Sequence, residues 1–231
     1  MFPTDPFDRA LLAGDPIVAA RSLLGAILIR EPDRAGRIVE VEAYVGAEDE
    51  ACHARFGRTD RNRVMWGGPG IAYVYLVYGM YDCLNVVVEP VNRPAAVLVR
   101  AVEPLVGIDA MRTARLAHAR ARRRAWGEER LRAEAARLDG LDPPRVASGP
   151  GAVAAAFSID RSDTGLDLCD AGAPLRLAAG TAPTAIGVSP RIGIGYAHEP
   201  WLSMPWRLFD PASVAVSGPG SAARRRRTAS R

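Results

Sequence analysis

Tyr73-Val74-Tyr75-Leu76-Val77-Tyr78-Gly79-Met80-Tyr81-Asp82-Cys83-Leu84-Asn85-Val86-Val87-Val88-Glu89 decides what kind of fold this chain can adopt. Two β-branched, apolar runs, 72–77 and 82–89, flank Tyr78-Gly79-Met80, and strand formers on both sides of a glycine-bearing turn predict a β-hairpin. Upstream, the runs 26–30 and 37–44 repeat the pattern around Pro32-Asp33-Arg34-Ala35-Gly36, which predicts another hairpin. A further strand is expected at 95–102, a hairpin over 166–177 and a late strand at 191–196. Helices fill the gaps. Asp15-Pro16 reads as an N-cap followed by proline at the first helical position, with Gly25 as the stop. The proline-free, Ala- and Arg-rich stretch 108–138 predicts one or two exposed helices, and Ser148-Gly149-Pro150-Gly151 opens a short Ala-rich one.

At 231 residues and 48% apolar composition the chain can bury one good core, so a single domain is expected over 1–215. Beyond it, 216–231 is rich in Ser, Gly, Ala and Arg with nothing to bury, and a disordered Arg-rich tail is expected. The class predicted is α/β of the α+β type, with a curved, mainly antiparallel sheet, surrounding helices and a protruding hairpin. No run of about 18 apolar residues exists, and the first residues lack a signal pattern, so a cytoplasmic protein without membrane contact is expected.

Cys52, Cys83 and Cys169 are too far apart for a metal pair, and His53, His118 and His198 are equally scattered. Reduced cysteines and no metal are expected. The net charge of +4 is misleading, because the last 16 residues hold five arginines and no acid, leaving the rest at −1 (+4 − 5). Local arrangement says more. The run 53–63 carries Arg55, Arg58, Arg61 and Arg63 against Asp60 alone, a pattern suited to phosphate contacts. All 30 basic residues are arginine, so amine-nucleophile chemistry through a Schiff base has no lysine to use.

Strand alternation puts Glu40, Glu42 and Tyr44 on one face and Val39, Val41 and Ala43 on the core face. Either glutamate could then act as a base. Tyr73, Tyr75, Tyr78 and Tyr81 are four of six tyrosines within nine positions, a density suited to stacking on bases. One of them, Tyr78, stands at the turn, where an aromatic ring can wedge into a base stack.

In this order and spacing, Glu40-Val41-Glu42-Ala43-Tyr44, Glu48-Asp49-Glu50-Ala51-Cys52-His53, Arg61-Asn62-Arg63, the 73–81 run and Arg100-Ala101-Val102-Glu103-Pro104-Leu105 resemble the alkyladenine (3-methyladenine) DNA glycosylase family. Ser148-Gly149-Pro150 and Ser189-Pro190-Arg191-Ile192-Gly193 extend the resemblance to residues 5–210. It implies Glu42 as general base and Arg100 as the residue that helps hold the water. Tyr44, His53 and Tyr75 are implied as the pocket around an extruded base, with the Ala51 backbone amide donating to it. Asn85 is implied to crowd the exocyclic amine of guanine, and Tyr78 to fill the vacated stack. Between Glu40 and Glu42, the resemblance alone chooses Glu42.

The resemblance further implies a hydrolase of base excision repair, acting on double-stranded DNA that contains alkylated, and also deaminated, purines, and the absence of lysine makes a monofunctional enzyme the expectation. A nucleoid-associated monomer without a cofactor is expected. Two other readings stay open at this stage. The family's fold is similar to the C-terminal domain of methionyl-tRNA formyltransferases, which admits a nucleic-acid grip without chemistry. A small-molecule nucleoside hydrolase would use Glu42 but have no need of Tyr78.

Overall fold

A computed structural model describes residues 5–218. Its centre is an antiparallel sheet of eight strands in the order β3-β4-β5-β2-β1-β6, with β8 paired to β2 and to β7. The strands are β1 (Ile27–Arg30), β2 (Arg34–Tyr44), β3 (Ala72–Val77), β4 (Tyr81–Val88), β5 (Ala95–Val106), β6 (Leu175–Ala178), β7 (Gly187–Ser189) and β8 (Arg207–Phe209). The helices are α1 (Pro16–Leu23), α2 (Ile108–Arg122), α3 (Glu128–Asp139) and α4 (Pro150–Ala156). No helix among the described residues is long and apolar enough to cross a membrane.

The 11-residue β2 holds the sheet together because it serves three partners. One edge runs along β5, while the other pairs first with β1 through Arg34–Arg37 and then with β8 through Glu40–Glu42. Register shifts beside Ile38 and Glu40 mark a bulge, which bends the strand and divides that edge between two partners. The bulge also corrects the simple alternation. Ile38, Val41 and Ala43 enter the main core under the helices, while Val39 joins a separate cluster with Ala101, Ala215 and Val216.

α1 begins as its sequence requires: the Asp15 carboxylate accepts from the amides of Ile17 and Val18, and Pro16 needs no partner for its missing N–H. Such a cap contributes about 1 kcal/mol. α1 lies against β2, and α4 lies against β4 and β5, so the helices close one face of the sheet. On the other side, Ala215 and Val216 pack with Val39 and Ala101, and Ile194 and Ala197 pack with Ala51 and Tyr44.

Several expectations are corrected. The first turn spans 31–33 rather than 32–36, since Arg34, Ala35 and Gly36 pair with β1. β5 continues to Val106 through Pro104, placed where the register already shifts beside Gly36 and a missing donor costs least. Residues 166–177 make no hairpin: Leu175–Ala178 pairs with β1 instead, and the preceding residues form turns. The strand expected at 191–196 is a loop, because the ladder stops at Ser189 before Pro190 and Gly193 takes φ +83°. The expected tail starts too early, since Val216 and Ser217 are buried. The arginines at 224–227 lie outside the described residues.

Gly25 sits after α1 at φ +93°, and a Cβ there would stand 2.2 Å from the Thr181 carbonyl oxygen. Gly25→Ala should lose about 1–2 kcal/mol from the left-handed backbone and more from the clash. Gly14→Ala, with open space around it, should stay within about 0.5 kcal/mol of wild type in urea unfolding.

Candidate active site

One row of cross-strand partners assembles much of the site. Tyr73 faces Asn85, Asn85 faces Leu98, Leu98 faces Glu42 and Glu42 faces Arg207, so five strands contribute neighbours on one sheet face. Adjacent members stand roughly 5 Å apart by strand spacing alone. Tyr75 and Cys83 pair in the same way one step along. Above this face lies a cleft of about 460 Å³, lined by Tyr44, His53, Tyr75, Arg100, Ile192 and Tyr196 among others. An inner chamber of about 40 Å³ opens among Ala51, Cys52, Met65, Tyr73 and Asn85. It holds a water or two but no purine.

Both glutamates on the β2 face are fully buried, yet they are bound differently. Glu40 accepts from Arg100 Nε at 2.8 Å, Arg207 Nε at 2.7 Å and Ser217 through its N–H at 2.6 Å and its hydroxyl at 3.0 Å. Four donors saturate its lone pairs. Glu42 accepts from the Ile192 amide at 2.7 Å on Oε1 and the Tyr44 hydroxyl at 3.0 Å on Oε2, with Arg100 Nη1 3.2 Å away. A carboxylate offers about four acceptor positions, so Glu42 keeps one free. The three groups that hold it all line the cleft.

Burial pushes the Glu42 carboxyl above the usual carboxylate range, against the opposing pull of Arg100 and the hydrogen bonds from Ile192 and Tyr44. The Tyr44 hydroxyl is pushed well above its ordinary value, first by burial and then by Glu42, so it remains a donor. Burial alone would lower Arg100; the charges of Glu42 and Glu40 more than offset it, and the guanidinium stays protonated.

The aromatic wall is His53 and Tyr75, in edge-to-face contact at 4.4 Å. Tyr73 donates or accepts at 2.9 Å from His53 Nδ1 and so orients that ring. Burial and nearby Arg61 bring the His53 pKa down to about 4, so it is neutral at pH 7. Asn85 is buried with Nδ2 held by the Tyr73 and Cys83 carbonyls at 3.2 and 3.3 Å, which leaves its Oδ1 as the unengaged acceptor. The Ala51 expectation needs correction: its amide already donates to Asp49 Oδ1 at 3.0 Å. What Ala51 brings to the chamber is its backbone and methyl group.

Tyr78 stands at the hairpin tip, 85% exposed. The bond from Met80 N to Val77 O at 3.0 Å and positive φ at Tyr78 (51°) and Gly79 (70°) give the turn its type I′ character. The 53–63 loop leaves its four arginines exposed, and buried Asn62 organises it by bonding the carbonyls of His53 and Gly57 and the amide of Thr59.

Sequence reasoning gave no role to the residues that fasten this face. Arg191 reaches Asp49 Oδ1 and Oδ2 at 2.8 and 2.5 Å, with its guanidinium 4.7 Å from the Tyr44 ring centre and 4.9 Å from that of Trp206. Asp49 in turn accepts from the amides of Val45 and Ala51. Arg207, Ser217, Tyr196 and the Ile192 amide belong to the same group. Arg191 and Asp49 stand inside the recognised motif runs; Arg207 and Ser217 carry no local signal.

Aromatic rings and a buried carboxylate with a free acceptor position meet in one cleft, an arrangement compatible with the class of base-releasing hydrolases. The comparison with known families gives that class its name. The family described as Methylpurine-DNA glycosylase (MPG) matches residues 10–213, and the chain belongs to it. It is a family of DNA repair glycosylases acting on alkylated bases. A protein of Methanocella arvoryzae curated as "Putative 3-methyladenine DNA glycosylase" is 44% identical over 220 residues, 94% of this chain and 96% of its own. Proteins with the same curated name from Myxococcus xanthus and Koribacter versatilis are 38% and 37% identical, covering 90% and 92% of this chain and 92% and 93% of their own.

His53 should remain neutral down to about pH 5 and titrate near 4. NMR of the labelled ring, followed from pH 7 to 4, checks this; protonation near the ordinary ~6.5 would contradict the burial argument.

Proposed function

We propose that this protein extrudes an alkylated purine from duplex DNA into the cleft and hydrolyses its N-glycosidic bond, working as a cofactor-free monomer. The observation that carries the reading is Glu42, buried and proton-hungry beside Arg100, under an aromatic cleft rimmed by an exposed tyrosine. Glu42 takes a proton from a water at its free acceptor position; the water oxygen bonds to C1′ while the C1′–N bond breaks. The bond's electron pair returns to the base. A base alkylated at N3 or N7 is cationic and leaves neutral, so little acid catalysis is required. Neutral His53 with Tyr44 and Tyr75 offers electron-rich surfaces that favour such a cation over a normal base. Arg100 pulls the Glu42 carboxyl toward its ionised form against the effect of burial.

Tyr78 is proposed to fill the gap left by the base. Its left-handed backbone costs about 1–2 kcal/mol in a non-glycine residue, and strain of this kind clusters at working sites. Asn85 crowds the exocyclic amine of guanine. Deaminated purines, uncharged before cleavage, are proposed as slower substrates. With no lysine in the sequence, the product is an intact abasic site rather than a nicked strand.

Glu42→Gln should retain lesion-duplex binding but lose roughly 10²- to 10⁴-fold in single-turnover base release. The wild-type rate should fall on acidification through the raised Glu42 pKa, with its acid limb above the ordinary ~4.3; near-normal turnover by the variant would end the general-base role. Borohydride added during turnover should trap no protein–DNA adduct. A covalent adduct, or strand cleavage without alkali, would overturn the water mechanism.

A further inference from the structure

The arginines of α2, α3 and the turn between them are not used by the mechanism, and their surroundings separate them into two groups. Arg122 is occupied: it bonds buried Asp82 at 2.6 Å. Arg120 stands 3.8 Å from Glu128, an exposed pair that contributes little. Arg123 and Arg130 both lie over the Trp126 ring, 4.4 and 4.6 Å from its centre. Neither they nor Arg124 has a carboxylate within ion-pair distance among the described residues. Glu134, whose charge reaches Arg123, is engaged through both oxygens by Arg137 at 2.6 Å. One indole therefore gathers two guanidiniums, neither of them in an ion pair among the described residues.

This cationic ledge is attached to the hairpin. Arg123 Nη2 donates to the Tyr81 hydroxyl at 3.0 Å, and Tyr81 opens β4, three residues after Tyr78. Tyr81 is held from the other side by α4, where a Cβ on Gly151 would stand 2.8 Å from its ring. The neighbouring Asp82–Arg122 pair ties α2 to the same strand. On the opposite strand, Arg61 Nη2 donates to the Leu76 carbonyl at 3.3 Å and stands 5.9 Å from the Tyr75 ring centre. The hairpin thus carries one arginine surface on β3, from the 53–63 loop, and another on β4, from the ledge.

We propose that Arg123, Arg124 and Arg130 bind duplex DNA phosphates on the β4 side of the hairpin, so that the duplex is held on both sides of the point where Tyr78 enters. This rests on the glycosylase reading for the identity of the duplex. The charge complementarity and the Arg123–Tyr81 hydrogen bond supply the rest.

The test measures binding of an undamaged duplex over a range of salt concentrations, alongside base release from a lesion duplex at saturating enzyme. Arg124→Gln combined with Arg130→Gln should flatten the slope of log K against log salt by about 0.9 for each lost phosphate contact. The same variant should keep wild-type base release once saturated, which also shows that it folds. Arg124→Lys with Arg130→Lys should restore the slope. A wild-type slope in the glutamine variant, with or without weaker binding, overturns the proposal. Absence of base release by the wild-type protein would defeat the glycosylase reading instead, leaving the salt slope to judge the ledge.

Discussion

Two carboxylates buried two residues apart on one strand face cannot both stay ionised unless cations are buried with them. Arg100 meets that constraint by touching both, Nε on Glu40 and Nη1 toward Glu42. Much else follows. Arg100 must come from β5, the neighbour of β2, so the central pairing of the sheet is also the electrostatic pairing of the site. Glu40 still needs more donors than one arginine provides, and Arg207 and Ser217 supply them from the far end of the chain. The β8 strand and the residues after it are thus recruited by a charge as much as by a ladder.

The division of labour between the two glutamates follows from the count of donors. Glu40 is surrounded, and its charge serves to hold Arg100 in place. Glu42 has fewer partners, each belonging to the cleft wall, so its charge remains available to something that enters. Arg191 performs a related task on the other flank, fixing Asp49 and hence the 45–51 loop while covering one face of Tyr44. Arg100 and Arg191, on separate segments, thereby set the geometry of one carboxylate and one ring.

Much of this was legible from local signals. The Tyr78-Gly79 turn, the Asp15-Pro16 cap, the Ala-rich helices and the shared face of Glu40, Glu42 and Tyr44 each need only a few consecutive residues to be recognised. What escaped is nonlocal. The bulge beside Glu40 falls where the other edge of β2 passes from β1 to β8, and no residue pattern announces that change of partner. The sequence Arg191-Ile192-Gly193-Ile194 has the composition of a strand, but Pro190 interrupts the ladder and the Ile192 amide is turned toward Glu42 instead. Ala51 was named through family resemblance, whereas its amide is committed to a carboxylate two residues earlier. Val216 and Ser217 look like the start of a tail until Glu40, 177 residues away, is seen to need the Ser217 amide.

The tip of the hairpin has a consequence for how the protein can vary. At φ +51° the position of Tyr78 suits glycine or asparagine better than any aromatic residue. On the role proposed for Tyr78, folding stability and DNA engagement pull that position in opposite directions. A lineage selected only for thermal robustness would drift toward the relaxed turn and lose the ring, whereas one selected for repair must retain the strain and recover its cost in distant packing. Tolerance to destabilising changes elsewhere in the chain is correspondingly reduced by the energy held in this single turn.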